Sequence, residues 1–135
     1  MIVIDSSIAT GWIMPDEDSL VANRVLSMAT ELPAIVPSLF WHELRNTILV
    51  GERRGRLKSG DDLKGLNLVL QIGLTTDDEA SHEAVLDLAR RHMMTAYDAA
   101  YLELTIRRNA TLATLDKRLA AAGRAENLTV LSEWA

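Results

Sequence analysis

Residues 2–5 read Ile2-Val3-Ile4-Asp5: three consecutive apolar, β-branched residues closed by a carboxylate. A run this short and unbroken suits a strand buried on both faces better than one face of an antiparallel sheet. Working outward, Ala34-Ile35-Val36 before Pro37 reads as a second short strand. Leu74-Thr75-Thr76, residues 111–115 and residues 128–131 read as three more. Between them, apolar residues recur at helical spacing. Residues 18–31 carry Leu20, Val21, Val25, Leu26 and Met28, and residues 38–54 carry Leu39, Leu44, Ile48 and Leu49. Ser59 with Asp62 reads as the cap of a helix to about residue 70. Residues 81–91, a segment from Thr95 to about residue 109, and a short stretch closing at Gly123 complete the helices. Alternating strands and helices predict an α/β fold, a three-layer α/β/α sandwich around a short, mainly parallel sheet. In such sheets, functional groups gather beyond the carboxyl ends of the strands.

Composition narrows the rest. The chain has 135 residues, 24% of them charged and 48% hydrophobic, with a net charge of −5. That fits one domain over residues 1–135, with enough chain to bury a core without staples. There is no cysteine, which excludes disulfides, thiolate nucleophiles and cysteine-held zinc. No apolar run approaches the roughly 18 residues a membrane span requires. The start has no basic stretch and meets an acid at once, so it reads as a strand, not as a secretion leader. The mild acidity argues against wholesale coating of nucleic acid and leaves room for a local basic surface.

Four acids fall where the predicted topology can bring them to one rim. Asp5 and Asp116 follow strands, Asp98 lies in the first turn of the helix opened by Thr95, and Glu43 lies in the helix after the second strand. Each also has a plain structural reading. Asp98 and Asp116 could cap helices, and Glu43 could be one charge on a solvated face. Asp5 is harder to place as scaffold, because an acid closing a buried strand needs a partner. Two carboxylates about 5 Å apart repel by roughly 3 kcal/mol at an effective dielectric of ~20. A cluster of four therefore calls for protons or a cation, and carboxylate with water suits Mg²⁺ or Mn²⁺ rather than Zn²⁺. Such ions can activate water for phosphodiester hydrolysis without a histidine or lysine base.

At these residues the chain resembles the PIN-domain family, specifically VapC-type toxin ribonucleases of toxin–antitoxin pairs. The stretch IVIDSS (2–7) resembles the family's first strand and acid, and GWIMPDED (11–18) the tryptophan–proline–acid segment after it. PSLFWHELRN (37–46) supplies proline, then Glu43, then Asn46. TAYDAAYLEL (95–104) is the most specific match, and LATLDKRL (112–119) resembles the closing motif, with Thr114 two residues before Asp116. The resemblance implies an acidic pocket of Asp5, Glu43, Asp98 and Asp116. Asp5 and Asp98 would be the surest Mg²⁺ (or Mn²⁺) ligands, while Asp116 and Glu43 would complete a second ion's shell or position water. Ser6, Asn46 and Thr114 would orient carboxylates or the scissile phosphate. It further implies endonucleolytic hydrolysis of RNA, a small antitoxin partner blocking the pocket, and a cytoplasmic homodimer. In one departure, Lys117 and Arg118 stand where some members carry a further acid, which weakens the case for a second metal.

Removing the four acids takes the count from −5 to −1, so the remaining surface can be patchy. Arg53, Arg54, Arg56 and Lys58, with Arg45 one to two turns earlier, form a candidate contact for RNA or antitoxin. Pairs at Arg90-Arg91 and Arg107-Arg108 read as solvated helix ends. Aromatics are scarce, and Trp12, Trp41, Tyr97 and Tyr101 read as core or subunit contacts, so base stacking has little support. Gly55 and Gly60 have phosphate-loop spacing but lack the following lysine, and neither His42-Glu43 nor His82-Glu83 has a second histidine at the required spacing. Two rivals come from other classes. A phosphoreceiver module needs an adjacent acid pair after strand one, where Ser6 follows Asp5. A PIN-like scaffold could bind RNA or a partner without cutting.

Overall fold

The computed structural model describes residues 1–135. Its five strands are β1 (Ile2–Ile4), β2 (Ala34–Pro37), β3 (Thr75–Asp77), β4 (Thr111–Ala113) and β5 (Val130–Leu131). All pair in parallel, in the order β3-β2-β1-β4-β5. Ile2 aligns with Ala34 on one side and Thr111 on the other, and every residue of β1 is buried. The helices are α1 (Ser6–Ile13), α2 (Leu20–Ala29), α3 (Leu39–Arg53), α4 (Asp61–Ile72), α5 (His82–His92), α6 (Ala96–Arg107) and α7 (Lys117–Ala125). From β1 the chain steps outward to β2 and β3, then returns past β1 to β4 and β5. Right-handed crossovers put α1 to α4 on one face and α5 to α7 on the other. Packing agrees: α1 lies against α2, α3 and α4, while α6 crosses β1, β2 and β4 and meets α5 and α7. The order reverses beside β1, so the crevice beyond the carboxyl ends of β1 and β4 is the natural place for a site. No helix is long and apolar enough to cross a membrane.

Local signals start most helices. Ser19, Ser81, Thr95 and Asp116 each accept a hydrogen bond from the backbone N–H three residues on, capping α2, α5, α6 and α7. Three readings of the sequence change. The cap of α4 is Gly60 at φ +91, not Ser59. Asp61 instead turns back, its carboxylate accepting from Lys58 N–H at 2.8 Å. Helix α7 runs past Gly123, because that residue lies beneath Val130 and Leu112, where a Cβ would approach to 2.9 and 3.0 Å. Helix α1 has no sequence signature, since Ser6, Ser7, Thr10 and Gly11 are poor helix formers. Burial of Ile8, Ala9, Gly11 and Ile13 holds it. A Cβ on Gly11 would meet Ala22 Cβ at 2.9 Å, so glycine lets α1 and α2 approach.

An ion cluster fastens the edge strand β3 to α6. Asp77 receives Arg107 through two hydrogen bonds of 2.9 and 3.0 Å and Arg108 at 2.8 Å, while Arg107 also reaches the buried Glu103 at 2.7 Å. The Arg107 hydrogen bond holds the Asp77 carboxyl well below its ordinary range. A depressed carboxylate stabilises the fold above its unfolded value and loses that contribution as pH falls toward the folded one. Asp77→Asn is therefore expected to cost about 1–3 kcal/mol at neutral pH and much less near pH 2. Urea melts at the two pH values check this, and an equal cost at both would contradict it.

Candidate active site

The site forms at the crevice beside β1. Asp5 follows β1 with extended backbone, and its N–H donates to Ala113 O of β4 at 3.0 Å. It occupies the N-cap position of α1 but makes no capping bond with its side chain. Its carboxylate, 5% exposed, is spoken for by hydroxyls instead. Oδ2 accepts from Ser7 Oγ at 2.6 Å and from Thr114 Oγ1 at 2.7 Å. Each hydroxyl accepts in turn from the backbone leaving β4: Leu115 N–H donates to Ser7 and Asp116 N–H donates to Thr114. Two hydroxyl relays thus tie the first acid to the loop carrying the last one. Thr114 is fully buried, so Thr114→Val would strip Asp5 of a donor and leave the Asp116 N–H without its acceptor. A loss of about 1–3 kcal/mol is expected, and Thr114→Ser, which keeps the hydroxyl, should avoid most of it. Thermal melts of the two variants measure the difference, and equal melting would contradict the relay.

The other acids arrive from both helical layers. Glu43 extends from α3, and its Oε1 accepts from the phenol of the fully buried Tyr101 at 2.5 Å. Asp98 lies in the first turn of α6, three residues before Tyr101 and on the same side of that helix. Asp116 caps α7, its Oδ1 accepting from Leu119 N–H at 2.8 Å. None of the four acids has a salt-bridge partner. Burial pushes the Asp5 carboxyl up; the Ser7 and Thr114 hydrogen bonds oppose this, and the charges of Asp98 and Asp116 add to it. Burial also raises Glu43, against hydrogen bonds from Tyr101 and Ser6 and with the charges of Asp5 and Asp98. Asp98 is raised by burial and by Asp116, with Arg118 pulling the other way. Burial and the two nearby acids Asp5 and Glu43 push the Tyr101 phenol far above its ordinary value, so it stays a hydrogen-bond donor.

Fitness for a cation follows from this chemistry. Asp5, Glu43 and Asp98 each sense the charge of another acid of the set, yet no three of the four close around a common point. An ion bridged by one or two carboxylates and otherwise hydrated is how Mg²⁺ is commonly held, because it dehydrates reluctantly. The donor set suits Mg²⁺ or Mn²⁺ and has no nitrogen or sulfur that would favour zinc.

The remaining sequence candidates divide. Ser6 and Thr114 lie with the acids. Asn46, one helical turn beyond Glu43, instead lines a groove of about 230 Å³ between α1 and α3 with Thr10, Thr47, Arg54 and Arg56. Arg56 is engaged by Asp16 at 2.9 and 3.0 Å and by Glu17 at 3.6 Å. Arg45 lies against His42, while Arg53, Arg54 and Lys58 are exposed and without salt bridges. Two residues escaped the sequence reading. Ser7 is two residues past Asp5, and nothing local marks it as the partner of that carboxylate. Tyr101 is core, as expected, but its phenol also serves Glu43; its helical spacing from Asp98 was the available signal.

The sequence matches the family model described as PIN domain over residues 2–125. It is 31% identical over 122 residues to Ribonuclease VapC3 of Pyrobaculum aerophilum, covering 88% of this chain and 92% of that protein. Among solved structures, a Pyrobaculum aerophilum protein superposes with a TM-score of 0.73 at 20% identity, covering 96% of this chain and 83% of that one. VapC20 of Mycobacterium tuberculosis, described as a toxin that cleaves the sarcin–ricin loop, gives 0.63 at 14% identity, covering 91% and 95%.

Proposed function

The chain belongs to the PIN-domain family, and from that premise we propose that it is a metal-dependent endoribonuclease, the toxin of a VapBC-type toxin–antitoxin pair. The observation that carries this reading is the set of four acids, each from a different part of the chain, of which Asp5, Glu43 and Asp98 are raised by burial and by neighbouring carboxylates while none of the four has a salt bridge. The relative named as a ribonuclease supports the same chemistry. In this reading Asp5 and Asp98 hold the principal ion, and Asp116 and Glu43 take a share of a second or orient water. The chemistry that Mg²⁺ or Mn²⁺ supplies when bound is activation of a water and neutralisation of charge on the phosphate. The protein's own part is placement. Ser7 and Thr114 fix one oxygen of Asp5 and leave the other free, while Tyr101 does the same for Glu43. Ser6 sits where a hydroxyl can steady Glu43.

The groove between α1 and α3 begins one turn from Ser6 and Glu43, and Asn46 and Arg54 on it would guide an RNA strand toward the acids. Arg53, Lys58 and Arg45 extend the positive surface for RNA or antitoxin. The antitoxin and the homodimer enter as parts of this reading. To test it, antitoxin-free protein is incubated with RNA after chelation and again after Mg²⁺ or Mn²⁺ is restored. Cleavage that stops with the chelator and returns with the ion supports the reading. Cleavage indifferent to the chelator would overturn it.

A further inference from the structure

Of the six aromatic residues, Phe40 and Tyr101 are fully buried, and Trp12 and Trp41 are half-buried with their indole N–H groups bonded to Ala22 O and Thr76 Oγ1. Tyr97 is exposed, but no hydrogen bond fixes its ring. Trp134 differs from all of these. It is 43% exposed, yet its indole is held in place: Nε1 donates to Leu115 O at 2.9 Å, and Lys117 Nζ lies 5.2 Å from the ring centroid. Leu115 and Lys117 flank Asp116, so the ring is anchored on both sides of a pocket acid. The tail that carries it is tied down as well. Ser19 Oγ donates to Glu133 at 2.6 Å, and Thr114 N–H donates to Leu131 O at 3.0 Å. The ammonium lies over the ring, so the exposed remainder of the held indole is what can stack a base, with the cation at hand for its phosphate.

We propose that Trp134 and Lys117 form a nucleotide subsite next to the acidic pocket, in which the indole stacks one unpaired RNA base and the ammonium meets a neighbouring phosphate. This subsite rests on the ribonuclease reading and adds to it a recognition element: single-stranded RNA with a base splayed onto the tail. The base's position relative to Asp116 then sets where the strand is cut. Stacking is tolerant of base identity, so the subsite fixes register more than sequence.

The test uses Asp98→Asn protein, expected to bind without cutting, and a short fluorescein-labelled single-stranded RNA of mixed sequence. Trp134→Phe keeps an aromatic face but loses the N–H; Trp134→Leu keeps apolar bulk but loses the face. Affinity is expected to fall about 5- to 100-fold for Trp134→Leu and to stay within about threefold for Trp134→Phe. Lys117→Gln is expected to flatten the slope of log affinity against log salt by about 0.7. Unchanged affinity in Trp134→Leu, or equal loss in the Phe and Leu variants, would overturn the subsite, because a tail pin alone depends on the N–H and not on the ring face. RNA binding by the Asp98→Asn parent with those results would leave the ribonuclease reading standing. No RNA binding by the parent and no cutting by wild type would bring down both.

Discussion

Asp5→Asn is expected to lower the rate of RNA cleavage by about 10²–10³-fold, the range seen when one preorganised electrostatic contact at a reacting centre is removed. The substitution is close to isosteric. An amide oxygen can accept from Ser7 and Thr114 as the carboxylate does, so the two relays to the β4–α7 backbone survive. What disappears is a negative charge, the one charge that both Glu43 and Tyr101 sense. Single-turnover rates at saturating Mn²⁺, with a folded circular-dichroism spectrum as control, measure the effect. A rate within about threefold of wild type would remove Asp5 from the reaction, since even a modest share in electrostatic stabilisation exceeds that.

The second large effect concerns stability. Asp5, Glu43 and Asp98 are raised from ordinary values of 3.8, 4.5 and 3.8. A carboxylate raised in the folded state binds its proton more tightly there than when unfolded. Its contribution to stability is therefore full below the ordinary value and is lost as pH rises through the folded one. Metal-free protein should accordingly gain stability as pH falls from neutrality toward the carboxylate range, until Asp77, whose shift has the opposite sign, begins to lose its ion pairs. A divalent ion reverses the cost at neutral pH. At one hundred times its dissociation constant it would add about 2.7 kcal/mol, or roughly 8–13 °C in Tm for a chain of this length. Asp98→Asn should melt higher than wild type without metal, by about 1 kcal/mol after solvent screening, and should respond less to Mg²⁺. Calorimetric melts at pH 5 and pH 7, with and without Mg²⁺, check all of this. Equal Mg²⁺ shifts in both proteins would count against a shared ion site.

Much of this architecture was legible because its signals are local. The apolar triplet at β1, the helical spacing in α2 and α3, and the capping residues Thr95 and Asp116 each act within a few residues. The parallel sheet followed from their alternation, and the position of Asp5 and Asp116 beyond strands followed from the sheet. The parts not legible depend on distant partners. Helix α1 exists because Gly11 packs on Ala22 and because Ile8 and Ile13 are buried, although its residues favour no helix. Ser7 serves Asp5 only because β4 delivers Thr114 and the Leu115 N–H more than one hundred residues later. Arg56 looked free to meet RNA in a basic run, but the fold places Asp16 against it. Trp134 carries no local signal; only the fold brings its ring to Leu115 O and Lys117, the residues on either side of Asp116.

The most direct test of the central claim is cleavage of total host RNA by antitoxin-free protein beside its Asp98→Asn variant, with Mg²⁺ or Mn²⁺, mapping the new 5′ ends. The account predicts discrete cuts that require the ion and vanish in the variant. Equal cutting by both proteins would contradict the assigned site. No cutting by either, with no ion bound, would contradict the nuclease itself and leave a PIN-domain scaffold that binds without cutting.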